Sequence, residues 1–183
     1  MKVLKFGGSS LSTAGNIRKV EKILKSQDEP SVAVISASAG VTDRLIHAAQ
    51  LARDQQEAYK EVAEGLRNMH LDVVQELLQG NARENAISEV NSLMDAFWDI
   101  LRGVYKLRDL SPKTQDQVLS FGERLSAAIV AWYVEDAHYM DARELIRTDS
   151  QFGNGTVDFE LTAQVMKERF MEQKPLTVLP GFI

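Results

Sequence analysis

The chain has 183 residues, enough for one well-filled core and short for two complete domains. Its 44% hydrophobic and 26% charged residues are ordinary for a globular protein, and a formal net charge of -5 has the wrong sign for a general nucleic-acid binder, which needs clustered positive charge. With no cysteine the chain forms neither disulfides nor thiolate metal sites, and no stretch nears the roughly 20 apolar residues of a membrane span.

Met1 runs directly into a charged strand with no apolar signal region, so the cytoplasm is the expected location. "KVLKF" (Lys2–Phe6) reads as a buried strand. A helix follows from about Thr13 to Ser26, with Ile17, Val20, Ile23 and Leu24 on one face. Val32 to about Ser36 is a second strand, nearly continuous in apolar and small residues, as in a strand covered on both sides. Strand, helix and strand with short links make a βαβ unit. Three helical stretches come next: Asp43–Asp54, Tyr59–Leu78 and roughly Glu84–Leu107, broken at Gly80 and stopped at Pro112. The last two form an expected antiparallel hairpin inserted into the α/β pattern, its apolar stripes serving as core or dimer contacts. The pattern resumes with a helix over Gln115–Glu135, with Val118, Leu119, Leu125, Ile129 and Trp132 inward. A strand in "AHYMDA", a turn-rich "QFGNGTVD", a helix over Leu161–Met171 and a strand in "PLTVLPGFI" complete the chain. His47, His70 and His138 lie far apart, and each is expected to be a surface or packing residue rather than a metal ligand.

Three stretches carry the chemistry. In "KFGGSS" the glycines allow backbone N–H groups to approach a phosphate closely, a helix begins a few residues later, and Lys5 sits at the carboxyl end of a strand, where open α/β sheets bind ligands. The lysine precedes the glycines, so this is not the Walker pattern, and taken alone the stretch fits an ordinary turn with a surface lysine equally well. "SASAGVTDRL" offers the hydroxyls of Ser36, Ser38 and Thr42 around Gly40, with Thr42 or Asp43 as the possible cap of the next helix. In "LSFGERLSA", Glu123 lies among apolar and small residues. Buried there it must find a partner or a ligand, because an unpaired buried carboxylate is costly; the alternative is a solvent-facing helical glutamate paired with Arg124 or Arg143.

These stretches, in this order, resemble the aspartate kinases of the amino acid kinase superfamily. "VLKFGGSSL" is similar to the family's amino-terminal signature, "VISASAGVTDRL" to its second strand and loop, "FGERLSA" to its GE-x-x-S helix, "MDARELIRTDSQFGNGTVD" to the region after it, and "VLPGFI" to the start of its GF-x-G segment. The overall look is most like the branch that includes the lysine-sensitive enzymes. The resemblance implies an α/β fold, a three-layer αβα sandwich of the amino acid kinase (carbamate kinase-like) type. Its sheet would be mainly parallel, with the helical hairpin inserted at about 57–110. It further implies that Lys5 is catalytic, that Lys5, Phe6, Gly7, Gly8 and Ser9 bind ATP, and that Ser36, Thr42 and Glu123 bind the amino acid, Glu123 facing its α-amino group. Asp141 and Arg143 would be supporting residues. The implied reaction transfers the γ-phosphoryl group of ATP, carried with Mg2+, to the side-chain carboxylate of L-aspartate. This gives 4-phospho-L-aspartate, the entry to lysine, threonine and methionine synthesis. L-aspartate and ATP would be its partners, with no nucleic acid, no membrane, no protein-held metal, and a homo-oligomer in the complete enzyme.

The family pattern continues into a GRGGSD segment, an adenine-binding part and regulatory ACT domains. Residues 1–183 therefore read as the amino-terminal part of a catalytic domain, without the nucleotide-binding half and ACT domains, and not competent alone. The alternatives are a kinase acting on glutamate, N-acetylglutamate or UMP, and a non-catalytic fragment. The long helical stretch and "FGERLSA" favour aspartate.

Overall fold

The computed structural model describes residues 1–169 and 174–182. In chain order the elements are β1 (Lys2–Phe6), a 3-10 turn at Gly8–Leu11, α1 (Ala14–Lys25), β2 (Ser31–Ile35), α2 (Val41–Arg53), α3 (Tyr59–Leu77) and α4 (Gly80–Leu107). They continue with α5 (Pro112–Tyr133), β3 (Ala137–Tyr139), α6 (Ala142–Leu145), α7 (Phe159–Arg169) and β4 (Leu176–Pro180). The four strands form one parallel sheet in the order β1-β2-β4-β3. Parallel strands need crossover segments, and the helices supply them, covering both faces of β2 and β4. The edge strand β1, expected to be buried, is buried only at Phe6, and Val3 on its other face is exposed. The expected α/β class with a parallel sheet is what the chain adopts.

The two faces are unequal. On one, Phe6, Ala33, Ile35, Leu176 and Val178 join the side chains of α1 to α5 in a single large core. On the other, Val32 and Leu179 pack with Leu145 of α6, supported by Val34, Ile146 and Met166. Strand alternation accounts for this split, since successive side chains of β2 and β4 point to opposite faces.

The helical hairpin is part of the core rather than an appendage. Leu66 and Val74 of α3 and Val90, Met94, Phe97 and Leu101 of α4 are fully buried, and the Phe97 ring lies 5.5 Å from that of Phe121 in α5. His70 is buried there too. Its Nδ1 faces the Leu66 carbonyl oxygen at 2.8 Å, and burial pushes its pKa down. It is a packing residue, while His47 and His138 are exposed.

Several expectations shift. Ile23 is 45% exposed and Trp132 39% exposed, so both lie off the buried stripes assigned to them. α4 begins at Gly80 rather than near Glu84. α5 begins at Pro112, where a proline costs no hydrogen bond, and the Ser111 hydroxyl accepts from the Thr114 amide at 3.2 Å. α1 has the same device, the Thr13 hydroxyl accepting from the Asn16 amide. The expected ends of the α7 helix at Met171 and of the last strand at Ile183 lie outside the described residues.

α5 crosses the strand ends so closely that position 122 must be small. A Cβ on Gly122 would stand 2.9 Å from Ala37 Cβ and 3.1 Å from Leu45 Cδ1. Gly122→Val should therefore destabilise the fold by about 1–3 kcal/mol, the usual cost of overpacking a filled core. Urea unfolding measures this, and a change below about 0.5 kcal/mol would show that the helix can move away.

Candidate active site

The register of the sheet assembles the site. Phe6 pairs with Ile35 and Ile35 with Pro180, so β1, β2 and β4 end in one row. The next residues of each strand are stitched together. The Ser36 amide donates to the Phe6 carbonyl (3.1 Å), the Gly181 amide to the Ile35 carbonyl (2.9 Å) and the Ala39 amide to the Gly8 carbonyl (3.2 Å). Stretches far apart in sequence thus meet at the carboxyl edge of the sheet, where this architecture binds ligands.

Glycine is required in the first loop by this contact. A Cβ on Gly8 would sit 2.7 Å from the Ala37 carbonyl oxygen, a backbone atom that cannot step aside, whereas one on Gly7 would meet nothing within 4 Å. Gly8 lets the two loops touch, and Gly7 faces open space. Lys5 is exposed, with Nζ 3.5 Å from Ser36 Oγ, at the outer limit of a hydrogen bond. Ser9 is exposed on the following turn, where its carbonyl accepts from Asn16 Nδ2 (2.9 Å) and Ser12 Oγ (3.0 Å). Phe6 turns its side chain into the core, so only its backbone is at this edge.

The second loop differs from the reading that capped α2 with Thr42 or Asp43. The cap is Gly40, at φ +77°, a left-handed conformation that glycine adopts without a Cβ clash, and it provides no side-chain cap. Thr42 is the second residue of the helix and is exposed. Its hydroxyl is therefore not committed to capping. Ser38 is committed: its hydroxyl donates to the Leu11 carbonyl (2.9 Å) and lies 3.2 Å from Ser126 Oγ, tying the loop to α5.

Glu123 projects from α5, one turn before Ser126. Oε2 is buried with no hydrogen-bond partner among the described residues. Gly181 leaves just enough room for it, since a Cβ there would be 3.0 Å from Oε2. Burial pushes the Glu123 pKa up. The backbone amides of Ala37 and Phe182, the Lys5 ammonium and the Gly181 amide pull it down without cancelling that effect. Neither arginine proposed as its partner reaches it. Both are drawn to Asp141, Arg143 through Nε (2.9 Å) and Nη2 (2.6 Å), and Arg124 more loosely (Nε, 3.8 Å). Burial works against ionisation of Asp141, but the hydrogen bonds from Arg143 hold its pKa below the usual range. Asp141 also caps α6. Asp141 and Arg143 thus pair with each other, and they leave the Glu123 carboxylate without an arginine partner.

The row of strand ends therefore presents an ammonium at Lys5, open space before Gly7, a start of α2 with no side-chain cap, and at Glu123 a half-buried carboxylate, one oxygen of which has no hydrogen-bond partner among the described residues. An anion fits the first three, and a cation fits the last. Beside this row, a cleft of about 620 Å³ runs between the first turns of α5 and the 148–157 loop, with Gly181, Phe182 and Arg143 in its lining. Sequence reading passed over Ala37 and Gly181 as site residues. The signal for both was a small residue just past a parallel strand.

The amino acid kinase family model matches residues 1–183. The aspartokinase of Chlamydia trachomatis is 30% identical to this chain, over 99% of the chain and 39% of the relative. Aspartokinase 1, chloroplastic, of Arabidopsis thaliana is 29% identical, over 99% of the chain and 33% of its own length. Among solved structures, E. coli aspartokinase III in complex with aspartate and ADP superposes with a TM-score of 0.85 at 24% identity, covering 100% of this chain and 41% of that one. At that identity the superposition speaks for the fold. The chain spans about 39% of the length of the Chlamydia relative it matches.

The raised pKa of Glu123 has a consequence for stability. A carboxyl whose folded pKa lies above its unfolded value favours the fold below the unfolded pKa, and that contribution is lost as pH rises through the folded pKa. At pH 7 the wild-type protein carries this cost and Glu123→Gln does not. The variant should unfold at higher urea than wild type at pH 7, and the two midpoints should converge near pH 4. Identical midpoints at pH 7 would mean that the carboxylate is well solvated or paired.

Proposed function

The chain belongs to the amino acid kinase family, and from that premise we propose that it forms the amino-terminal part of an aspartokinase catalytic domain. The observation that carries this reading is the half-buried carboxylate of Glu123, one oxygen of which has no hydrogen-bond partner among the described residues, within electrostatic reach of Lys5. An α-amino acid is a zwitterion, and such a pair suits it. Glu123 takes the α-ammonium group, which directs a carboxylate toward the lysine. Thr42 and Ser36 offer hydroxyls to that carboxylate. The aspartokinase names of the relatives and the aspartate and ADP held by the E. coli enzyme support the same assignment.

In this proposal the phosphates of ATP, carried with Mg2+, lie against Lys5, the backbone of Phe6 and the Gly7-Gly8-Ser9 loop. The side-chain carboxylate of L-aspartate attacks the γ-phosphorus, ADP leaves, and 4-phospho-L-aspartate forms. Carboxylate and triphosphate repel each other, so the work of the site is to hold them in line and neutralise charge, which is most of phosphoryl-transfer catalysis. Lys5 supplies a fixed positive charge beside the transferring group. Adenine binding belongs to the remainder of such a domain. The cytoplasm, a homo-oligomeric complete enzyme, a place in lysine and threonine synthesis and the lysine-sensitive branch are finer parts of the same proposal, supported by the motifs. An N-acetylated amino acid fits less well, because it has no cation for Glu123.

Two measurements on a complete aspartokinase domain carrying these residues test the reading. Lys5→Ala should lower turnover by on the order of 10²–10³, the scale of losing one preorganised charge contact. The fold should be retained, since Lys5 is exposed. Near-normal turnover would remove Lys5 from catalysis. Thr42→Val and Glu123→Gln should each raise the KM for aspartate at least about tenfold more than the KM for ATP, as expected for contacts made to one substrate only. Equal effects on both would mean that these residues shape the fold and not the amino-acid pocket.

A further inference from the structure

The cleft beside the strand ends has two walls that are separate in sequence. One is the start of α5, which also carries Glu123. The other is the loop from Thr148 to Val157. The loop is ordered from within: Thr148 and Val157 bridge as an antiparallel pair, and the Asp149 carboxylate accepts from the amides of Gln151 (3.0 Å) and Thr156 (3.2 Å). Nothing in that internal bonding fixes where the loop sits. Among the described residues, a hydrogen bond and a cation–π contact join it to α5. The Asp116 carboxylate accepts a 2.7 Å hydrogen bond from the Gly153 amide, and Lys113 Nζ lies 5.4 Å from the centre of the Phe152 ring. The ring is 46% exposed, so the cation–π contact is the weaker of the two. A short amide-to-carboxylate bond is charge-assisted and directional.

We propose that the Thr148–Val157 loop is a strap across this cleft and that Asp116 is the positioning residue that holds it closed. Asp116 touches no reacting atom. It acts through Gly153, by setting the distance between the two walls. The proposal rests on the reading above in one respect: Gly181, which lies against the Glu123 carboxylate, also lines the cleft, so the strap controls entry at the amino-acid end of the site rather than at the phosphate loop.

The absence of cysteine allows a direct test on this chain. Ser120 lines the cleft from α5 and is 3% exposed, so Ser120→Cys places one thiol behind the strap. Its rate of reaction with a neutral maleimide, followed well below the unfolding midpoint, reports opening. Adding Asp116→Ala should speed labelling several-fold, with no matching change in the urea midpoint. Asp116→Asn keeps an oxygen acceptor and should restore most of the protection. Should Asp116→Ala label at the rate of the Ser120→Cys parent, or Asp116→Asn label as fast as Asp116→Ala, the strap is overturned. Saturating L-aspartate should slow labelling of the Ser120→Cys chain. Failure of aspartate to do so, with the Asp116 effect intact, would overturn the amino-acid reading of the cleft and leave the strap standing.

Discussion

The shared end row of β1, β2 and β4 is the constraint on which the site depends. Parallel pairing fixes Phe6, Ile35 and Pro180 side by side, and the three following loops have nowhere to go but over the same edge. Backbone hydrogen bonds between those loops then lock their mutual spacing. A one-residue slip in either pairing would turn every side chain of a strand to the opposite face. In β1 it would bury Lys5 in the main core and expose Phe6. The burial of Ala33, Ile35 and Val178 on one face and of Val32 and Leu179 on the other makes such a slip expensive.

The loops also have to come close, and small residues permit it. Gly8 meets the Ala37 carbonyl, Gly122 meets Ala37 and Leu45, and Gly181 meets the Glu123 carboxylate. Together these contacts draw α5 down onto the strand ends and carry Glu123 out of water. Its position is unfavourable for the isolated fold, because the carboxylate loses solvent and gains only nearby amides and the Lys5 charge. Natural sites often tolerate such a cost where a ligand removes it. The Asp141 cluster shows the contrast. There two arginines surround one carboxylate, and the result is a structural clamp that holds the end of β3 and the start of α6.

Much of this was legible in the sequence. A continuous apolar run gave the strand at Ser31–Ile35 nearly to the residue, because a strand covered on both sides leaves little freedom in composition, whereas Lys2–Phe6 was found as a strand but is buried only at Phe6, with Val3 68% exposed. Helical periodicity found every long helix, but it set the edges of their buried faces too wide. Ile23 and Trp132 sit at the margin of their stripes, and whether a marginal side chain is covered depends on the neighbouring element, which no local pattern records. The partial burial of Glu123 was foreseeable from its apolar and small neighbours. That Asp141 would claim both candidate arginines was not, since the outcome turns on where the short β3 ends. Gly40 as the cap of α2 escaped for a related reason: Thr42 and Asp43 are good capping residues, and only the left-handed turn at Gly40 starts the helix before them. The Asp116–Gly153 bond joins residues 37 apart, with no motif linking them.

The central claim is that Glu123 receives the α-ammonium group of an amino acid whose carboxylate faces Lys5. The most direct measurement compares L-aspartate with N-acetyl-L-aspartate as ligands of the isotope-labelled chain, following the amide resonances of Ala37 and Gly181, which border the Glu123 carboxylate. The account predicts that L-aspartate shifts both resonances saturably and that the acetylated compound, which lacks the cation, leaves them in place at the same concentrations. Equal or stronger binding of N-acetyl-L-aspartate at these amides would contradict it.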